Sequence, residues 1–272
     1  MAKHKVDPND MTFFEHLDAM RPGLIRSFIA IALLFVAALI FKEQIMAILM
    51  GPQSPDFPTN AILRHWAEQS GNDLLRINSE PLTLINTAMS GQFNLHMMTA
   101  LYTSLILLAP YLLLELWIFV RPALSSEEQK GCYSLLGAAT VCMAIGVLFG
   151  YFILTPLSVN FLSSYRVSDQ IQNLIDVGSY IHIVLNMSLV SALIFELPIV
   201  VHFLSRIGIL RASFMRHYRR HAIVALSILS AIITPPDVMS MILVVIPLYM
   251  LYEVSIFVAA YNEKRRQSEK TA

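Results

Sequence analysis

The residues best suited to chemistry are carboxylates in unusual company. Glu196 lies in Phe195-Glu196-Leu197-Pro198, inside an apolar run that also holds His182, Asn186 and His202. A carboxylate in hydrocarbon costs about 2.5–3.5 kcal/mol on insertion scales, so it must face a polar cavity or a partner. Glu15 and Asp18, beside His16 and Arg21, are three apart and share one side of a helical turn. Glu127 and Glu128 adjoin in a polar stretch, and Asp237 ends Thr234-Pro235-Pro236-Asp237. Acids of this kind are solvated when isolated. Held together in a shallow groove, they suit a cationic peptide, because carboxylates grip guanidinium groups through two bonds.

Other chemistries lack their residues. No G-x-x-x-x-G-K-[ST] run occurs, so no phosphate cradle of that kind is expected. His-x-Glu-x-x-His spacing is also missing, and Glu196 with His202 alone makes a poor metal site. No cofactor, metal or enzymatic activity is expected. Cys132 and Cys142 are ten residues apart in one predicted helix, about 15 Å at 1.5 Å per residue, which is too far for a disulfide.

The elements that must position these acids are set by composition. Of 272 residues, 56% are apolar and only 14% charged, against about 25% charged in soluble domains. Net charge is zero, so no basic field draws a nucleic acid. The chain reads as an all-α, polytopic membrane protein. A crossing takes roughly 20 apolar residues. Such runs fall at Leu24–Phe41, about Met97–Val120, about Cys132–Thr155 and Tyr180–Leu204. Two shorter ones, Ala222–Ile233 and Met239–Tyr252, flank the Pro235-Pro236 pair. Six transmembrane helices follow, the last two short and suited to a locally thinned bilayer.

Residues 1–23 form an N-terminal tail, 24–261 the membrane domain and 262–272 a C-terminal tail. The segment of about 42–95 between the first two spans is its only sizeable soluble portion. There Ala61–Gln69 is predicted as a short amphipathic helix, with Ile62, Leu63 and Trp66 apolar. Leu82, Leu84 and Ile85 are expected to form a second amphipathic stretch on the outer leaflet. Lys42-Glu43-Gln44 follows the first run where a cleavage site would need small residues, so that run should be retained. Both tails, the 2–3 and 4–5 loops and Arg26 near the start of the first run account for fifteen of the nineteen Lys and Arg residues. The long 1–2 segment and the 3–4 loop hold Lys42, Arg64, Arg76 and Arg166. That asymmetry places both termini in the cytoplasm. Glu115 is expected near that face, where it can snorkel to water, and Glu253 is likewise expected near the cytoplasmic interface.

The same residues resemble a known family, TatC of the twin-arginine protein translocase. Phe14-Glu15-His16-Leu17-Asp18-Ala19-Met20-Arg21 is similar to the family's H-L-x-E-L-R before its first span. Leu116-Trp117-Ile118-Phe119-Val120-Arg121-Pro122-Ala123-Leu124, followed by Glu128, is similar to W-x-F-x-x-P-A-L and its loop glutamate. Phe195-Glu196-Leu197-Pro198 looks like the family's F-E-x-P, and Thr234-Pro235-Pro236-Asp237-Val238 completes the ordered set. The resemblance runs from about Met11 to Tyr261.

It implies a concave bundle in a bacterial-type inner membrane. The implied role is core receptor for twin-arginine signal peptides, assembled with TatA/TatB-type single-span subunits and copies of itself. Export of folded proteins would then draw on the proton-motive force. By the same resemblance, Glu128 contacts the signal's arginines, with Glu127 beside it, and Phe119, Pro122 and Leu124 shape that loop. Glu196 matches the polar position of the concave face, with Pro198 beside it, and Asp237 the acid of the outer hairpin at Pro235 and Pro236.

Two positions depart from the pattern. Ala19 stands where the family has glutamate, leaving Glu15 or Asp18 to supply the charge. Met241 stands where a glutamine is common, at an expected partner contact. The rival reading is a proton-coupled small-solute transporter, with Glu196 as proton carrier and His182 or His202 nearby. The absence of an internal repeat and the short final hairpin weigh against it.

Overall fold

Hydrocarbon offers no hydrogen-bond partner, so a chain this apolar must satisfy its backbone within helices. A computed structural model describes residues 13–72, 76–80, 82–120, 132–168, 170, 173–233 and 238–271. Helix α1 (Phe13–Ile40) leads through α2 (Lys42–Leu49) and a 3-10 turn to α3 (Pro58–Ser70). Strand β1 (Leu84–Ile85) precedes the long α4 (Gly91–Val120). Next, α5 (Cys132–Phe149) passes through one π turn at Gly150–Leu154 into α6 (Thr155–Ser164). Strand β2 (Ile175–Asp176) then leads into α7 (Val177–Ile194) and α8 (Leu197–Arg206). The chain ends with α9 (Ala212–His217), α10 (Arg219–Ile233) and α11 (Val238–Thr271).

Among the described residues, five stretches are long and apolar enough to cross a bilayer. They are Arg21–Ile40, Gly91–Phe119, Leu135–Ser164, Val177–Arg206 and Val244–Lys264. The chain is a multi-pass helical membrane protein. Helix α10 has only 15 residues, about 22 Å at 1.5 Å per residue, short of a hydrocarbon core about 30 Å thick. Phe28, Leu33, Ile40, Leu107 and Phe257 are exposed along these helices. In lipid that is the expected outer surface, since there an apolar side chain gains little by turning inward.

The α7–α8 stretch is central: half of its window is buried, against 6% for Arg21–Ile40. Tyr180, Ile181, Val184 and Leu185 pack with Leu49 and Val159 at its first end. Met187 and Ile194 meet Leu154, Leu226, Val244 and Leu248 in the middle. Val201 packs with Ala212, Met215, Ile256 and Ala259 at the far end.

Small residues let α5 approach α7 closely. A Cβ added at Gly146 would lie 2.6 Å from the Ser191 carbonyl oxygen and 2.8 Å from Ala192 Cα. One at Gly150 would lie 2.8 Å from Ser188 Cα and collide with the Met187 carbonyl oxygen. Gly146 and Gly150 are four residues apart on one face, the G-x-x-x-G spacing that lets membrane helices touch backbone to backbone.

The segment between α1 and α4 departs from its sequence reading at two points. In α3, Asn60 and Ala67 are buried, Leu63 is half-buried, and Ile62 and Trp66 are exposed. The packed face is therefore the polar-tied one. Asn60 Nδ2 donates to the carbonyls of Pro52 at 3.0 Å and Ser54 at 2.8 Å, while Asn78 Nδ2 donates to Asn60 Oδ1 and to the Pro156 carbonyl. The Leu82–Ile85 stretch takes its partner from elsewhere in the chain. Leu84 and Ile85 pair in parallel with Ile175 and Asp176, and Leu82 and Leu84 pack on the Tyr180 cluster. A partner strand from a distant loop supplies the backbone bonds there. Asp176 then caps α7, its Oδ2 accepting from the Ser179 amide at 3.1 Å.

Candidate functional site

Helix α1 starts well before its apolar run, so Glu15, His16 and Asp18 lie on the same helix as Arg21 and Arg26. The side chains of the first three fall outside the described residues, and Arg21 is exposed. Spacing on that helix aligns Glu15, Ala19, Gly23 and Arg26 along one stripe. The stripe reaches α4: a Cβ on Gly23 would lie 3.0 Å from Glu115 Oε2.

Glu115 does not snorkel. Its side chain is 9% exposed and takes two bonds from Arg26, Nε to Oε1 and Nη2 to Oε2, both 2.9 Å. The Tyr111 hydroxyl, one turn back on α4, donates to Oε1 at 2.5 Å. The fork of a guanidinium matches a carboxylate in this geometry, and the pair ties α1 to α4.

Beyond Glu115, α4 ends against α8. The Trp117 and Phe203 rings meet edge-on with centroids 5.7 Å apart, and Phe119 is half-buried. On the adjoining side Arg219 Nη2 donates to Glu253 Oε2 at 2.7 Å, and the Tyr249 hydroxyl donates to Glu253 Oε1 at 2.9 Å. Asn262 Nδ2 reaches Ser205 Oγ at 2.7 Å and the His202 carbonyl at 3.2 Å, fastening α11 to α8. Paired charges and amides therefore fasten α11 to α8 and α10, and the Trp117–Phe203 contact joins the end of α4 to α8. Pro122, Leu124, Glu127 and Glu128 follow directly in sequence and lie outside the described residues.

Glu196 occupies the break between α7 and α8. The helical ladder lapses there: the Glu196 amide bonds the Leu193 carbonyl at 3.2 Å, and Pro198 falls in the first turn of α8. Pro198 has no amide proton to give, and it prefers the first turn of a helix. The Glu196 side chain is buried at 8% exposure, and Oε1 has no hydrogen-bond partner among the described residues. It is therefore not consumed by a helix–helix bond at that atom. His182 and His202 are on the flanking helices, and His202 Nδ1 lies 3.2 Å from Asn262 Nδ2.

Pro235, Pro236 and Asp237 lie outside the described residues. Below them Met241 is half-buried on α11, and its carbonyl accepts from Ser230 Oγ of α10 at 2.9 Å. Among the described residues, no group of three or more His, Cys, Asp and Glu is placed to hold a metal. Cys142 is a free thiol.

A family model for the Sec-independent protein translocase protein TatC matches residues 15–247. The chain belongs to the TatC family. It is 34% identical over 265 residues to the TatC of a Blattabacterium, covering 96% of this chain and 100% of that one. A TatC from Desulforapulum autotrophicum is 33% identical over 258 residues, covering 95% and 87%. A crystal structure of a twin arginine translocase receptor TatC superposes with a TM-score of 0.71 at 30% identity, covering 90% of this chain and 98% of that one. As a TatC-family member with this fold, the chain is a membrane component of a protein translocase. The Arg26–Glu115 pair went unforeseen because its partners are 89 residues apart.

Proposed function

We propose that this chain is the core receptor subunit of a twin-arginine translocase. It binds twin-arginine signal peptides at the cytoplasmic face and assembles with TatA/TatB-type subunits and with copies of itself. The assembly exports folded proteins using the proton-motive force. The observation that carries this reading is the family match over residues 15–247, joined to the fold shared with a solved translocase receptor.

The physical account is one of binding and gating, without covalent chemistry. The signal's two guanidinium groups dock on Glu128, with Glu127 and the α1 acids Glu15 and Asp18 adding field around them. Ala19 carries no charge, so one of these α1 acids completes the acceptor set. The Arg26–Glu115 pair and the Trp117–Phe203 contact tie α1 and α8 to α4, the helix that leads in sequence to Glu127 and Glu128. Charge-assisted bonds of this kind contribute roughly 1.5–3 kcal/mol when partly desolvated and much less in open water. The apolar part of the signal then lies along the bundle near Glu196. Both termini are cytoplasmic, the membrane is the inner one, and α10 with α11 forms the final hairpin around Pro235, Pro236 and Asp237. Met241 lies at a partner contact.

The test uses a fluorescent twin-arginine peptide and the solubilised full chain. Glu128→Ala should remove binding while the protein still inserts, and Ala19→Glu should preserve or tighten it. Equal binding by wild type and Glu128→Ala would overturn the assignment of that glutamate.

A further inference from the structure

A cavity of about 530 Å³ opens between the last turn of α1, the amphipathic α2 and the first turns of α4. None of its lining residues belongs to the receptor surface described above. Ala38, Ile45, Met46, Leu95 and Ala100 give it apolar walls. Lys42 and Glu43 line it as well. Both are exposed, and neither forms an ion pair with another described residue.

Its depth in the membrane follows from the two spans that frame it. The first span ends at Ile40 and the second begins at Gly91. The Lys42–Glu43 mouth is therefore at the boundary where hydrocarbon gives way to headgroups. Thr99 also lines the cavity, eight residues along α4 from Gly91 and so about 12 Å deeper. It is 3% exposed, and its hydroxyl has no hydrogen-bond partner among the described residues. A buried helical threonine ordinarily satisfies its hydroxyl on a carbonyl one turn back; this one does not. One turn nearer the mouth, His96 Nε2 donates to the Leu39 carbonyl at 3.2 Å, closing α4 onto α1 along one side.

We infer that this cavity binds a single phospholipid of the phosphoethanolamine class. Its phosphate meets the Lys42 ammonium, and its own ammonium meets the Glu43 carboxylate. Deeper in, an ester carbonyl accepts the Thr99 hydroxyl proton, and an acyl chain covers the apolar walls. The order of groups from mouth to floor is the order of groups along the lipid. A phosphoglycerol lipid would satisfy Lys42 but set a net negative charge beside Glu43. A choline headgroup has no N–H to offer that carboxylate. A helix 10–12 Å across requires a long groove, whereas this volume falls in the range of sites for single small molecules.

The experiment reconstitutes the full chain in nanodiscs holding equal parts of phosphatidylethanolamine, phosphatidylglycerol and phosphatidylcholine with matched acyl chains. Native mass spectrometry then reads which lipid stays bound. The expected result is one retained phosphatidylethanolamine per chain. The double variant Lys42→Gln/Glu43→Gln, which alters only exposed side chains, should lose about threefold or more of that preference. Thr99→Val keeps the shape and removes the hydroxyl, and should lower retention without lowering the thermal midpoint. Equal retention of the three lipids, preference for phosphatidylglycerol, or unchanged preference in the double variant would overturn the assignment.

Discussion

Arg26 and Glu115 form a two-pronged ion pair across the α1–α4 contact, with both bonds 2.9 Å long. Arg26 is itself 56% exposed, while Glu115 is 9% exposed. Losing the arginine therefore leaves a largely covered carboxylate with the Tyr111 hydroxyl as its remaining partner among these groups. Arg26→Ala is expected to lower the thermal midpoint in detergent by about 2–4 °C. The double variant Arg26→Ala/Glu115→Ala should lose less than the two single variants summed, since the residues share one interaction. Strict additivity by differential scanning fluorimetry would mean the pair contributes nothing.

Gly150 and Gly137 lie on one long helical stretch and should respond oppositely to the same substitution. A methyl at Gly150 meets the α7 backbone, whereas one at Gly137 meets nothing within 4 Å. Gly150→Ala should cost about 1–3 kcal/mol through overpacking. Gly137→Ala should be neutral or gain up to about 1 kcal/mol from helix propensity. Thermal unfolding of the two purified variants, beside their levels in the membrane, checks the contrast.

Asn60 is 1% exposed and bonds two carbonyls and a second asparagine. Asn60→Ala strands these groups, at about 1–3 kcal/mol for a buried group left unpaired. The damage should be local. Limited proteolysis should cut between residues 51 and 85 faster than in wild type, with the fragments for α4 onward unchanged.

Glu196 should separate stability from transport. Its Oε1 is buried without a partner among the described residues, so Glu196→Leu removes a costly polar group and should hold or raise the thermal midpoint. Export of a folded twin-arginine reporter should fall at the same time. A variant that unfolds early would assign Glu196 to packing instead.

Much of the fold was legible because hydrocarbon enforces simple rules. The apolar runs mark four of the five long spans by themselves, and Pro198 falls just past the break at Glu196 in the α7–α8 stretch. The last span was also foreseen, but as Met239–Tyr252, whereas the apolar stretch runs over Val244–Lys264 and α11 continues to Thr271. Glu253 is a single charge inside a stretch that stays apolar to Tyr261, and only the residues beyond it are polar. Pairings across the sequence were not legible. Nothing near Leu84 announces Ile175, and nothing near Arg26 announces Glu115. Spacing of four shows Gly146 and Gly150 as a contact face, but not that Ser188, Ser191 and Ala192 receive it. The family was legible as motifs, since a short motif carries its chemistry in residue type. What surrounds Glu128 depends on contacts that no local pattern encodes.

The proposed receptor role requires Glu128 and Asp237 to lie on opposite sides of one membrane. Single cysteines at these positions, in a variant lacking Cys132 and Cys142, can be probed in intact cells with a membrane-impermeant maleimide. Position 237 should label from outside, and position 128 only after the membrane is opened. Labelling of both from the same side would contradict the proposed six crossings and the proposed cytoplasmic receptor surface together.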